Sequence, residues 1–178
     1  MKATGIVRRI DDLGRIVIPK EIRRTMRIHE GDPLEIYTES DGTVIFKKYS
    51  PIGELGEFAM QYAEALAKAL EIPTCITDKD NIIAVSGVPK KDLRDKKISS
   101  EIEKIIAKKA IALSKNGEAS IKIIEDNETY TAGVVAPIIF DGDGIGTVIF
   151  LTDPKNMLGE MEIKLAETAA GFLGKTME

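Results

Sequence analysis

Cysteine, histidine and tryptophan are nearly absent from this chain, which has one cysteine, one histidine and no tryptophan in 178 residues. A single cysteine, Cys75, excludes an internal disulfide framework and any zinc site built from several cysteines. The single histidine, His29, is expected in a loop, and Cys75 is expected to be a small buried hydrophobic residue. The sequence therefore shows no pattern typical of catalysis or metal binding, and no cofactor is expected.

A long uncharged apolar run and a low-complexity tract are also missing. Charged residues interrupt the first apolar stretch at Arg8, Arg9, Asp11 and Asp12, so neither a signal peptide nor a membrane span is expected. The composition, with 30% charged and 43% hydrophobic residues, is that of a chain able to bury a substantial core. We expect a folded protein of the reducing cytoplasm that makes no contact with a membrane.

Arginine is confined almost entirely to one end of the chain. Six of the seven arginines lie in residues 1–27, where eight Lys and Arg occur with three Asp and Glu, although the whole chain has a net charge of -4. The first 36 residues contain no aromatic side chain. Guanidinium groups suit phosphate oxygens and guanine edges, whereas single strands are usually held by aromatic stacking. The pattern predicts a segment that binds double-stranded DNA, joined to an acidic body.

The first 50 residues predict four strands and one short helix. The strands are expected at 5–11, 15–18, 34–40 and 43–49, and the helix at 20–26 after Pro19. On that helix the basic residues fall within about 100° of arc, opposite Ile22 and Met26. These basic residues are Lys20, Arg23, Arg24 and Arg27. So small a unit has no disulfide or metal to stabilise it, and we expect it to complete its core by oligomerising.

The core string GRIVIPKEIRR, preceded by TGIVRRID, resembles the swapped-hairpin DNA-binding domain of the AbrB family of transition-state regulators over residues 2–49. The resemblance implies that two chains intertwine into one small β-barrel. The DNA contacts that it implies are Arg8, Arg15, Arg23 and Arg24, with Arg9 and Lys20 as lesser contacts. Arg27 stands where many members of the family have glycine, so the resemblance assigns it no role.

From residue 54 the pattern predicts helix, two strands, helix, three strands and helix, which indicates an antiparallel sheet with helices on its faces. A capping box of Ser100 and Glu103 is expected to open the second helix, and Asn116 and Gly117 to close it. The last helix is expected to begin at about Pro154. The buried face of the second helix is predicted to comprise Ile102, Ile105, Ile106, Ala110 and Leu113.

The first of these helices has more apolar residues than a single packing face requires. A seam between two copies is predicted at Leu55, Ala59, Tyr62, Leu66 and Ala69, while Phe58 and Leu70 are left to pack on the sheet. We therefore expect two separate contacts between copies, one through the first 50 residues and one through this helix, which close the assembly as a homodimer if both join the same two chains and as a homotetramer if they do not.

The string APIIFDGDGIGTVIF resembles the signature of GAF domains. Because GAF domains commonly bind small molecules, the resemblance implies an unidentified small-molecule effector, and no ligand-binding residue is assigned. The expected class is α+β, with an AbrB-like domain at 1–50, a linker at 51–55 and a GAF-like sensing or oligomerisation domain at 56–178. An AbrB-like domain followed by a GAF-like domain is the layout of a family of sporulation regulators, and this resemblance implies the homotetramer, with the homodimer as the alternative.

Together these features predict a transcription regulator of sporulation-type genes that binds duplex DNA and is not an enzyme. One alternative is an antitoxin-like DNA-binding autoregulator, but antitoxins with this head fold have short tails instead of a folded body of 125 residues. The other alternative is a small-molecule enzyme on a GAF scaffold. Sulfoxide reduction by such proteins needs a resolving cysteine, which this chain lacks.

Overall fold

A computed structural model describes residues 4–114, 120–152 and 158–177 of the chain. The chain divides into two compact units, Met1–Tyr49 and Ser50–Glu178, which we call the head and the body. Antiparallel strands and helices occur in both units, so the α+β class is confirmed. In the described part of the chain, no helix has the length and apolar character needed to cross a bilayer.

The head contains one short helix, α1 (Lys20–Thr25), and one hairpin of strands β1 (Leu34–Thr38) and β2 (Val44–Lys48). The segments 5–11 and 15–18 were expected to be strands but form none within the described chain. A strand is defined by backbone hydrogen bonds to a neighbouring strand. Between these segments the backbone N–H of Asp11 donates to the carbonyl of Arg15 at 3.1 Å, which closes the turn, and no strand of the described head pairs with them.

Pro19 is the one buried residue of the described head, and none of its aliphatic or aromatic side chains is buried. Val7, Leu13 and Val17 are 86%, 70% and 72% exposed, and Met26, which lies opposite the basic arc of the helix, is 57% exposed. Burying one large aliphatic side chain is worth about 1.5–3 kcal/mol, so this exposed surface is a substantial unused source of stability. The head of a single chain therefore has a helix and a hairpin but no hydrophobic core.

The body is built on a six-stranded sheet in which every pair is antiparallel. Its strands are β3 (Thr74–Thr77), β4 (Ile82–Ser86), β5 (Ala112–Leu113), β6 (Ile121–Ile124), β7 (Asn127–Phe140) and β8 (Asp143–Thr152). The order is β4-β3-β8-β7-β5, and β6 also pairs with β7. Asp141 and Gly142, with φ of 47° and 78°, join β7 to β8, which is the backbone of a two-residue primed turn.

Helices cover both faces of this sheet. They are α2 (Pro51–Glu54), α3 (Gly56–Leu70), α4 (Lys90–Leu93), α5 (Ser100–Lys108) and α6 (Glu160–Lys175). Residues of α2, α3 and α6 share one apolar core with Val148 and Phe150 of β8, and residues of α4 and α5 share the other with Ile149. Alternate residues of a strand point to opposite faces, so β8 separates the two cores.

The residues expected to form a linker, 51–55, include a helix that belongs to the body. The Ser50 side chain accepts a hydrogen bond from the backbone N–H of Gly53 at 3.1 Å, and Ile52 is completely buried in the body core. Serine followed by proline is typical of a linker, but it also suits the N-cap and first position of a helix. The burial of Ile52 decides between the two structures.

Helix α5 is shorter than its apolar spacing predicted. Its N-cap is Ser99, not Ser100, because the Ser99 side chain accepts a hydrogen bond from the Ile102 backbone N–H at 3.2 Å. Lys109 adopts φ of 54° and ends the helix, so Ala110 and Leu113 are not helical, and Leu113 pairs with Val134 in the sheet. The expected helix end at Asn116 and Gly117 and the expected start at Pro154 lie outside the described residues.

Candidate nucleic-acid interface

Helix α1 brings three of the expected DNA contacts to one face. Arg23 and Arg24 follow Lys20 by three and four residues, and residues at these spacings are neighbours on a helix surface. All three are exposed. Within the described residues, no carboxylate lies at ion-pair distance from their side chains. Their positive charge is therefore not neutralised by the chain's own acids.

Arg27 does not belong to this face, although a helical wheel had placed it there. Its φ is 52°, because the chain leaves α1 in a left-handed turn. The backbone N–H of Arg27 donates to the Arg24 carbonyl at 3.3 Å, and that of Ile28 donates to the Arg23 carbonyl at 2.8 Å. This Schellman arrangement favours glycine at the position of Arg27. The reason why glycine suits this position is thus conformational.

Arg15 is held by an acidic residue that sequence reasoning did not single out. One carboxylate oxygen of Asp11 accepts the backbone N–H groups of Arg15 at 2.7 Å and Leu13 at 3.0 Å. The other accepts Nε of Arg15 at 2.7 Å. These bonds, the one from the Arg15 backbone first, hold the pKa of Asp11 below its usual range. Aspartate ahead of a glycine-containing turn was the signal for this arrangement.

The Asp11 contact orients Arg15 without covering it. The Arg15 side chain is still 69% exposed, so part of its guanidinium group is open to a ligand. Arg8 and Arg9 lie in the exposed segment before the turn, and no ion pair is formed by either within the described residues. The head thus presents arginines from three places: the extended segment, the turn and helix α1.

Cys75 lies in the body and His29 lies in the head. Cys75 is buried in the sheet, and burial raises the pKa of its thiol to about 12, so the reactive thiolate is disfavoured. His29 is exposed, and its backbone N–H donates to the Asp32 carboxylate at 2.8 Å. Among the described residues, no group of three His, Cys, Asp or Glu side chains is arranged to hold a metal ion.

Both the head and the body are similar to known proteins. The family described as "Stage V sporulation protein T C-terminal, transcription factor" matches residues 54–178. Stage V sporulation protein T of Bacillus subtilis (strain 168) is 53% identical over 182 residues, which cover 100% of this chain and 99% of that protein. The chain belongs to the stage V sporulation protein T family. The expected function as a transcription regulator of the sporulation type is therefore confirmed.

Each unit of this stage V sporulation protein T relative also has a match of its own. Transition state regulatory protein AbrB of B. subtilis is 61% identical over 51 residues, which cover 29% of this chain and 52% of AbrB. The GAF domain of an Acinetobacter phosphoenolpyruvate-protein phosphotransferase superposes with a TM-score of 0.55 at 10% identity, covering 74% of this chain and 84% of that one. The AbrB-like head and the GAF fold of the body are thus confirmed.

The head alone does not distinguish a regulator from an antitoxin. Residues 7–54 match the family described as "Antidote-toxin recognition MazE, bacterial antitoxin". The distinction comes from the body, since residues 54–178 match the stage V sporulation protein T C-terminal family over their whole length. A packed six-stranded body also differs from the short tail expected of an antitoxin.

Proposed function

We propose that this member of the stage V sporulation protein T family binds double-stranded DNA through Arg8, Arg15, Arg23 and Arg24, with Arg9 and Lys20 as lesser contacts. The observation that carries the proposal is the exposed basic face of α1, which lacks acidic partners in the described chain. Guanidinium groups form paired hydrogen bonds with phosphates and guanine edges, whereas ammonium groups act as point charges. Arginine therefore reads the DNA and Lys20 strengthens its attachment.

The DNA-binding unit is, in this proposal, a swapped-hairpin barrel formed by two heads. Two observations support it: segments 5–11 and 15–18 have no strand partner in the described chain, and every apolar side chain along them except Ile18 is exposed. Pairing with a second copy would satisfy the backbone and bury Val7 and Val17 together. The same pairing would double the number of arginines on the DNA.

A salt titration of DNA binding tests the proposal. With roughly six phosphates neutralised, the logarithm of the affinity of the full-length protein for a duplex promoter fragment should fall with log salt at a slope of about -5. Fluorescence anisotropy measures this slope, and the separated strands of the same fragment serve as the comparison. A slope near zero, or equal affinity for the single strands, would contradict duplex binding.

The body, we propose, joins copies of the chain and responds to a small-molecule effector that changes DNA affinity. The GAF fold supports the sensing role, and a coupling of about 1–3 kcal/mol between the two sites is typical of such regulators. No residue is assigned to the effector. We also propose that the protein is not an enzyme, which the buried and protonated thiol of Cys75 supports. Its proposed location is the cytoplasm, which suits a protein that acts on DNA.

Helices α3 and α6 carry the surface that we propose for the second contact between copies. The predicted seam was wrong at Ala59, because Ala59, Ala63 and Ala67 are the face of α3 that packs on its own sheet. An aromatic cluster of Phe58, Tyr62 and Phe172 lies beside that face, with 5.3 Å between the ring centres of Tyr62 and Phe172. Phe172 is 49% exposed, which suits a ring that a second body covers.

Assembly is measured by light scattering on the full chain of 19.5 kDa. The parent is expected to have the mass of four chains, and Phe172→Glu the mass of two, because a charge on the aromatic cluster opposes burial but leaves the head contact intact. Ile111→Glu, a control at an exposed apolar residue next to α5, should keep the parent's mass. A parent of two chains supports the dimer instead, and a monomeric parent contradicts both contacts.

A further inference from the structure

The basic residues of the body are concentrated in one short segment. Residues 90–109 contain eight of the body's 15 Lys and Arg and only four of its 21 Asp and Glu. The segment therefore has a net charge of +4 within a body whose net charge is -6. So uneven a distribution creates a local positive potential on an acidic protein.

The segment is fixed against the sheet and not a free loop. Ile98 and Ile102 are completely buried, and Ser99 caps α5 between them. The backbone N–H of Ile82 donates to the Lys96 carbonyl, and that of Asp95 donates to the Ile82 carbonyl, both at 2.9 Å. Because Ile82 begins the edge strand β4, residues 95–98 run along the edge of the sheet with their charged side chains exposed.

Three of the eight cations have an acidic partner. Lys90 pairs with Glu64 at 3.3 Å, Arg94 with Asp95 at 3.9 Å, and Lys109 with Asp143 at 3.5 Å. The other five are exposed, and no carboxylate of the described residues lies within ion-pair distance of them. We call these five the lysine face: Lys91, Lys96, Lys97, Lys104 and Lys108.

Two lysines of the lysine face point away from the sheet. Lys104 and Lys108 are four residues apart on α5, on the side opposite Ile102 and Ile106, which are buried. Lys96 and Lys97 are exposed on the segment that runs along the edge of the sheet, just before α5 begins. The lysine face thus carries exposed ammonium groups on a segment whose backbone is attached to the sheet.

We propose that the lysine face binds the phosphate backbone of DNA that flanks the sequence contacted by the head. The inference rests on the proposed function, because the head is what brings the body to DNA. Charge complementarity selects a polyanion, and lysine selects phosphate over base edges, since an ammonium group is a point charge without the paired donors of arginine. The head then provides specificity, and the lysine face adds affinity independent of sequence.

The test compares two duplexes with the full-length protein. One is the shortest duplex that the parent binds, and the other extends it on both sides. The variant Lys97→Gln, Lys104→Gln, Lys108→Gln should bind the short duplex like the parent but the long duplex about tenfold more weakly. Its salt slope on the long duplex should be smaller by about 5 if each of the two chains loses three phosphate contacts. The matched variant with arginine at the same three positions should keep the parent's affinity for both duplexes.

The possible results separate the two proposals. Equal binding of the long duplex by parent and glutamine variant would overturn the role of the lysine face but leave the head's role intact. A parent that binds no duplex of any length would overturn both proposals. A glutamine variant whose mass without DNA falls in light scattering, with no difference between the duplexes, would show that the face binds the acidic surface of another copy, which also overturns it.

Discussion

Replacing both Arg23 and Arg24 by alanine is expected to lower the affinity for duplex promoter DNA about a thousandfold. A head formed by two chains loses four guanidinium groups, and about 1 kcal/mol for each gives about 4 kcal/mol, or about a thousandfold. The dependence of the affinity on salt concentration should also become less steep, because phosphate contacts are lost. Gel-shift titration of the full-length variant against the parent measures the change.

The fold of the variant should be unchanged, which makes the result interpretable. Both side chains are exposed on α1, and within the described residues neither guanidinium group is in an ion pair that the change would remove. Alanine also favours helix, so circular dichroism and thermal unfolding should match the parent. Lys68→Ala with Lys164→Ala removes two exposed charges from the body as the control and should leave binding unchanged. Parent-like affinity in the arginine variant would overturn the assignment of the DNA interface.

The sequence predicted the basic face of α1 because helical spacing is a local property. Arg23 and Arg24 follow Lys20 by three and four residues. A helix over these residues brings their side chains together, whatever surrounds the helix. Arg27 was placed wrongly because the wheel assumed that the helix continues, whereas its backbone turns at φ of 52°. The aspartate that holds Arg15 depends on a turn geometry that spacing alone does not define.

The long strands of the body and the β1–β2 hairpin of the head were predicted correctly, whereas the first two predicted strands of the head were not found, and both results have the same physical reason. In the body, long runs such as β7 and β8 find their partners within the chain, so apolar alternation predicts paired strands. In the head, segments 5–11 and 15–18 have the same character but no partner in the described chain. A single sequence indicates that a segment suits a strand, but it does not say which chain provides the neighbour.

The shortest elements of the body escaped sequence analysis because they depend on tertiary contacts. Helix α2 was expected to be part of a linker, and burial of Ile52 converts it into part of the core. Strand β5 was assigned to the preceding helix, since Leu113 continues the spacing of Ile102 and Ile106. The left-handed Lys109 breaks that helix, and pairing with β7 then determines the structure.

Substitution of Gly174 by alanine is expected to destabilise the body by about 3 kcal/mol or more. Helix α6 packs so closely on β7 that a Cβ at Gly174 would lie 2.2 Å from the carbonyl oxygen of Ile139. Two backbones meet there, so relief requires the helix to move away from the sheet and to open the core around Leu173. Urea unfolding of the full-length protein at one fixed concentration measures the loss.

Gly171 provides the matched control for Gly174 because it lies in the same helix, one turn earlier. A Cβ at Gly171 would meet no atom within 4 Å, so Gly171→Ala should gain about 0.5–1 kcal/mol from helix propensity alone. The two alanine variants make the same chemical change, and the difference between their unfolding midpoints isolates the contact between α6 and β7. Equal stability of the two would show that α6 does not lie this close to the sheet, and the layer that carries Phe172 would then need a different placement.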